Sequence, residues 1–355
     1  MFQRFALMKE KTKHLLVIRL SAMGDVAMVA VVLRALMAQH PSLKITVLSK
    51  SFLAPLFEEF PKVSFYAADT QGIHKGFRGI YRLYKELKPF GFDGIADLHN
   101  VLRSRLLSLF FCGTQTFRLD KGRAEKKALI RLENKVFTPL KTSHERAADV
   151  FRKFEFEVDL SQTPFPTPLA LPTALKNQIQ FKAGMKYIGI APFAQHASKT
   201  YPLDLMKVVL LKLSKTPNVQ LLLFGGGKEE ITVLKAFEQK ITNVQCMAGK
   251  LQLKDELLLI SHLNCMLSMD SGNGHFSALY GVPTVTLWGG THPYAGFAPF
   301  QQTPENNLLP DLKKYPHIPY TVFGNKMLPG YENVMQTIAP ETVVAEVLRA
   351  CDNEA

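Results

Sequence analysis

Cysteine is scarce in this chain. The four present, Cys112, Cys246, Cys265 and Cys351, form no C-x-x-C pair and have no histidine cluster near them. That pattern argues against a disulfide scaffold and a zinc module, and fits a reducing, cytoplasmic location. Tryptophan occurs once, at Trp288. Long hydrophobic runs are missing too. The most apolar early stretch, residues 15–37, is interrupted by Arg19, Asp25 and Arg34, whereas a spanning helix needs about 20 largely apolar residues. With those interruptions and no clear small-residue cleavage site, a signal peptide is not indicated either. Acidic residues are also in short supply, 30 against 43 Lys and Arg, for a net charge of +13.

What is present is a globular composition. Hydrophobic residues make up 47% and charged residues 21% of 355 positions. That length is enough for about two domains with substantial cores. The charge is unevenly spread: residues 1–172 hold 27 basic and 16 acidic residues, the remainder 16 and 14. A basic first half fits an anionic partner there, whether nucleic acid, a phosphorylated glycolipid or an acidic membrane surface. Charge kept only for solubility gives the same count. The first residues, MFQRFALMKEKTK, alternate cations with Phe and Leu and leave peripheral membrane attachment open.

Short apolar runs alternate with helical patterns. Strands are expected at 15–20, 43–48, 63–67 and 94–97, and helices at 26–39, 79–87 and 103–111. Residues 161–172, SQTPFPTPLALP, hold four prolines and read as a linker or crossover. The alternation then restarts, with strands at 187–191, 219–224, 265–269 and 284–288 and helices at 203–213, 229–240, 255–263 and 274–280. Residues 297–333 read as irregular, and 340–351 as a final helix. The expected fold class is α/β, with parallel sheets covered on both faces in two doubly wound domains that face across a cleft.

Four segments sit where strands end, the usual ligand-binding edge of such sheets. Asp25 lies in S-A-M-G-D-V just after the first strand, without the G-x-G-x-x-G of a dinucleotide fold. It either faces the expected cleft or caps its helix. The loop A-P-F-A-Q-H-A-S-K-T-Y-P brings Ser198 and Lys199, a mobile point charge for a phosphate, or is an ordinary solvated loop. The run Gly225-Gly226-Gly227-Lys228 is not a P-loop, and Glu229 beside it has a carboxylate suited to ribose hydroxyls. A plain strand-to-helix turn explains the glycines equally well. Finally, Asp270-Ser271-Gly272-Asn273-Gly274-His275 opens a helix whose free N–H groups suit a phosphate, and Leu287-Trp288-Gly289-Gly290-Thr291-His292 ends the next strand.

The order of these blocks resembles the bacterial ADP-heptose:lipopolysaccharide heptosyltransferases, glycosyltransferase family 9, over most of residues 14–300. The last block, D-S-G-x-G-H-x-x-A-x-x-G-V-P-T-V-x-L-x-G-x-T-x-P, carries most of the specificity, together with the M-G-D start. The stretch Asp97-Leu98-His99-Asn100-Val101-Leu102-Arg103-Ser104 adds to it. The resemblance implies a GT-B fold. An acceptor-binding Rossmann-like domain would span 1–165 and a nucleotide-sugar domain 166–335, with a helix at 336–355 packing back on the first. It implies inverting transfer of a heptose or related sugar from an ADP-sugar to a lipopolysaccharide core acceptor. The enzyme would work at the cytoplasmic face of the inner membrane as a soluble or peripheral protein.

Residue roles follow from the same resemblance. Asp25 becomes the general base and Lys199 the cation that meets charge on the leaving diphosphate. Ser198, Asp270, Ser271, Gly272 and His275 hold the donor, with Glu229 on ribose and residues 247–251 at the adenine. Arg103, Lys121 and Arg123 are acceptor candidates by charge and position. No metal and no cofactor is expected, and no D-x-D motif lies on a suitable loop. The partners implied are the nucleotide-sugar donor and an anionic glycolipid, with no nucleic acid. The sequence departs from the family pattern at Ser271, where threonine is common, at His99, where glutamine is usual, and at Gly289-Gly290, which replaces a single glycine. Alternatives are a related transferase with another nucleotide sugar and glycan acceptor, and a basic nucleic-acid-binding protein. The latter is weakened by few aromatics within residues 118–153.

Overall fold

The computed structural model describes residues 13–179 and 181–352, so the basic and apolar start at 1–12 lies outside the described residues. Two parallel sheets organise the chain. The first has the order β3-β2-β1-β4-β5, built from β1 (His14–Ile18), β2 (Lys44–Ser49), β3 (Val63–Ala67), β4 (Gly94–Asp97) and β5 (Gln115–Arg118). All four neighbouring pairs are parallel, with Ile18 opposite Leu48 on one side and Asp97 on the other. Strand β1 is apolar from Leu15 to Ile18 because it is covered on both faces.

Helix α1 (Met23–Gln39) follows β1. Every residue from Val26 to Leu36 is buried. That explains the apolar stretch read from the sequence: a helix hydrophobic all round belongs in a core. Its one buried cation, Arg34, pairs with Glu59. The order in which strands are added reverses between β1 and β4. Right-handed crossovers therefore put α2 (Gly76–Leu87) and α3 (Leu102–Phe110) on the sheet face opposite α1. Ile80, Leu83, Leu87 and Leu107 of these two helices pack on Leu16, Ile18, Leu48 and Ile95.

After β5 come α4 (Arg123–Leu129), α5 (Ser143–Arg152) and α6 (Thr173–Ile179), none of which the hydropathy pattern indicated. The second sheet has the order β11-β10-β9-β6-β7-β8 and is parallel throughout. Its strands are β6 (Lys186–Ala191), β7 (Val219–Leu223), β8 (Val244–Cys246), β9 (Cys265–Met269), β10 (Thr284–Leu287) and β11 (Asn307–Leu308). Helices α7 (Leu203–Leu213), α8 (Lys228–Lys240), α9 (Leu253–Ile260) and α10 (Gly272–Leu279) connect them, and α11 (Pro340–Asp352) closes the chain. The four cysteines are free, and all but Cys112 are buried.

Two expectations change. The boundary at 165 is not a single cut. One compact unit takes residues up to Ser21, Val32–Leu119 and Ala147–Thr163, and the other Ala22–Val31, Asp120–Arg146 and Pro164–Ala355. The final helix builds onto the second sheet. Val343, Val347, Ala350 and Cys351 of α11 join the core of the second, packed on α7, β9 and β10. Its apolar stripe recurs every three to four residues and needs one buried partner surface, which the second sheet supplies.

Candidate active site

In the second unit, strand order reverses between β6 and β9, so the loops after these strands diverge and leave a crevice at their carboxyl ends. Lys199 lies at the end of a short 3-10 turn, Ala197–Lys199, after β6. Asp270 follows β9 directly. The structure brings them together: Lys199 Nζ is 3.2 Å from Asp270 Oδ2, and both side chains are largely buried. The Thr291 hydroxyl donates to the same oxygen at 2.9 Å. The sequence places Thr291 at a strand end and by itself gives it no role. Its buried position after β10 was the missing information.

Ser271 occupies the N-cap of α10 in extended conformation without capping the helix, and its hydroxyl has no partner. The first N–H groups of α10, on Gly272, Asn273 and Gly274, have no intrahelical acceptor. A helix start of this kind favours anionic oxygens. His275, one turn in, is buried, and its Nδ1 is unpartnered. Burial lowers its pKa below the ordinary histidine value; the negative charges of Asp270 and Asp25 pull the other way, and Lys199 adds to the lowering. His275 is thus a neutral ring at neutral pH.

Asp25 is in the first turn of α1 and belongs to the same compact unit as α10. Its Oδ2 accepts the Ala22 N–H at 3.1 Å, so the capping role read as an alternative is real. It is also one of the charges felt by His275. The approach of α1 to α10 depends on glycine: a Cβ on Gly24 would stand 2.7 Å from His275 Cδ2. Asp25, Lys199, Asp270, Ser271, Gly272 and His275 therefore form one cluster.

Three further groups of expected residues can be placed. Ser198 is buried and donates its hydroxyl to the Gly324 carbonyl at 2.6 Å, while its own carbonyl accepts the Gly290 N–H at 2.8 Å. It ties loops together and has no hydroxyl proton left for a ligand. The same loop contact requires the first of the two glycines, because a Cβ on Gly289 would lie 2.1 Å from the Ser198 carbonyl oxygen. At the glycine run, Glu229 is exposed, and the carboxylate that folds back is Glu230, whose Oε2 accepts the Gly226 N–H at 2.8 Å. The acceptor candidates fall in both compact units. Arg103 is on α3 in the first unit, and Lys121 and Arg123 are in the segment 120–146 that clusters with the second. That segment is fastened there by Leu140 N–H to Tyr294 O at 2.9 Å, Ser143 N–H to Gly296 O at 2.8 Å and Lys135 Nζ to His317 O at 2.6 Å. Met247, at the expected adenine position, is buried with its N–H on Leu223 O.

Among the described residues no His, Cys, Asp and Glu cluster can hold a metal ion, and no helix is long and apolar enough to cross a membrane.

Two doubly wound parallel sheets, with a cation, a carboxylate and an open helix start at a strand-order reversal, define an α/β protein of the doubly wound class. The model of glycosyltransferase family 9 (heptosyltransferase) matches residues 80–322, and the chain belongs to that family. It is a glycosyltransferase, and its fold is GT-B. It is 24% identical to the lipopolysaccharide core heptosyltransferase OpsX of Haemophilus influenzae, over 96% of this chain and 98% of that one. A family 9 glycosyl transferase from Veillonella parvula superposes with a TM-score of 0.72 at 19% identity, covering 96% of this chain and 98% of the other. For the ADP-heptose lipopolysaccharide heptosyltransferase II of E. coli the TM-score is 0.67 at 20% identity, with 95% and 98% covered.

Proposed function

We propose that this glycosyltransferase transfers a heptose from an ADP-heptose donor to a lipopolysaccharide core acceptor, the substrates that the names of its relatives give for them, and that it does so in one inverting displacement. The observation that carries the reading is the Lys199–Asp270 pair beside the start of α10, with Asp25 next to His275. The donor diphosphate takes the N–H groups of Gly272, Asn273 and Gly274 and the charge of Lys199. Asp270 fixes that ammonium through one oxygen, and its other oxygen accepts from a sugar hydroxyl. Asp25 accepts the proton of the acceptor hydroxyl as its oxygen bonds to the anomeric carbon. The bond from that carbon to the diphosphate oxygen breaks, and ADP leaves with charge met by Lys199 and the helix start. His275, uncharged, adds no competing proton donor of low pKa beside Asp25.

The test is a thermal-shift titration with ADP, UDP, GDP, CMP and NAD, followed by transfer assays. ADP alone should raise the melting temperature with concentration, and Lys199→Ala should weaken the shift. Asp25→Asn should keep the ADP shift while kcat falls by about 10³-fold, the scale of a lost general base. A shift with UDP or GDP in place of ADP overturns the donor, and normal transfer by Asp25→Asn overturns the base.

A further inference from the structure

The α2–α3 layer of the first unit is apolar on its outer side as well as its inner side. Helix α2 buries Gly79, Ile80, Leu83 and Leu87. Its next stripe carries Phe77 and Tyr81, which are 64% and 43% exposed. Helix α3 adds Leu102 and Leu109 at 84% and 67%. Phe110 joins the two stripes: its ring centroid is 5.6 Å from Phe77 and 5.4 Å from Tyr81, both edge to face. The aromatic part is therefore held in place by its own packing. Scattered exposed apolar residues need no explanation, but a continuous ridge of this kind marks an interaction surface.

The charges around the ridge are of one sign. Residues 75–88 and 102–110 contain seven Lys and Arg and a single acid, Glu86. Glu86 is already taken by Tyr66 OH at 2.7 Å, His74 Nε2 at 2.8 Å and Arg82 Nε at 2.9 Å. Lys85 Nζ lies 5.4 Å from the Tyr81 ring centroid and Lys88 Nζ 5.9 Å from that of Tyr84, each cation set against the ridge. Protruding apolar tips flanked by cations match a surface with acyl chains below and phosphates above. A second copy of the chain would bring the same cations face to face. A nucleic acid offers nothing to Leu102 and Leu109, the two most exposed tips.

We propose that the α2–α3 face is a docking surface for an anionic phospholipid bilayer, seating Phe77, Tyr81, Leu102 and Leu109 at the acyl boundary and the flanking cations on lipid phosphates. The ridge then holds the enzyme at a membrane. Arg103, at the start of α3, lies within this face, so its charge has a use apart from the acceptor role inferred from sequence.

The experiment is co-sedimentation of the full chain with vesicles of phosphatidylcholine alone and with about one third phosphatidylglycerol, at low and high salt. Binding is expected to the anionic vesicles only and to weaken with salt. The double variant Phe77→Ser/Leu109→Ser should lose binding about tenfold or more, as should Arg78→Glu/Lys85→Glu. Because these positions are exposed, the variants should keep the parent melting temperature and transfer to a delipidated, water-soluble acceptor. Equal binding to both vesicle types overturns the proposal, as does undiminished binding by the variants, which would place attachment elsewhere in the chain. A dimer of the parent that the apolar variant dissolves would show a second copy to be the true occupant.

Discussion

Asp270 carries two donors on one oxygen, the Thr291 hydroxyl at 2.9 Å and the Lys199 ammonium at 3.2 Å. Such an arrangement fixes the carboxylate plane and leaves Oδ1 for a ligand. Thr291 touches no reacting atom in this account and is a positioning residue. Removing its hydroxyl leaves Asp270 free to rotate and Lys199 less well placed. Thr291→Val should therefore lower kcat by about tenfold with little change in the ADP thermal shift, on the scale of a lost hydrogen bond to a charged group. Thr291→Ser should restore the rate. A purely structural role would instead lower the melting temperature of both variants without separating their kcat values.

At the scale of elements, the site depends on how closely the first turn of α1 meets α10. Gly24 sits between them, and an added methyl at 2.7 Å from His275 Cδ2 forces one of the two to move. Because Asp25 is the next residue, the shift is passed to the carboxylate. Gly24→Ala should cut kcat by about 10- to 100-fold, as misplacement by about 1 Å does in other sites. The ADP shift should survive, since the helix start at Gly272 is untouched. Single-turnover rates and ADP titrations on the same sample separate the two effects. An unchanged rate would mean that α1 and α10 need not stay in contact for transfer. Gly289 differs in kind. Its neighbour at 2.1 Å is a backbone carbonyl that cannot rotate away, so Gly289→Ala should destabilise the fold itself.

At the scale of the molecule, buried histidines set the response to acid. Burial holds His144 near 3, with His275 beside it, and His292 near 4, with Lys135 adding to the effect. His275 is also lowered, by burial first. In the unfolded chain each titrates near 6.5. Between that value and the folded ones the unfolded chain binds more protons, so stability is complete above pH 6.5 and is lost as pH falls. Glu256 acts the other way, because burial raises it to about 7 and the folded chain then holds its proton. Its stabilisation is present below its unfolded value and lost as pH rises through 7. Asp97, which burial also raises, acts in the same sense as Glu256, and against these two carboxyls the histidines should leave a net loss of stability between about pH 6.5 and 5. Urea midpoints at the two pH values measure it. His144→Phe should flatten the slope, and an unaltered slope would remove His144 as a contributor.

Much of this was decided by sequence alone. Apolar runs of five or six residues at strand length, separated by helix-length patterns, dictated two parallel α/β halves, because strands covered on both faces cannot alternate in polarity. The M-G-D and D-S-G-x-G-H blocks marked Asp25, Asp270 and His275, since glycine next to a polar residue at a strand end is a local signal. Other features had no local signal. Helices α4 and α5 are short, and the sequence offered no apolar stripe long enough to mark them. Glu229 and Glu230 are adjacent, and only the fold-back onto Gly226 distinguishes them. Ser198 looked like a ligand group until Gly324, 126 residues further on, took its proton. Tertiary structure alone decided which unit received residues 120–146 and α11, because that depends on partners far away in the chain. It also made a ridge of Phe77 and Leu109, whose separate stripes are ordinary until Phe110 packs against α2 and joins them.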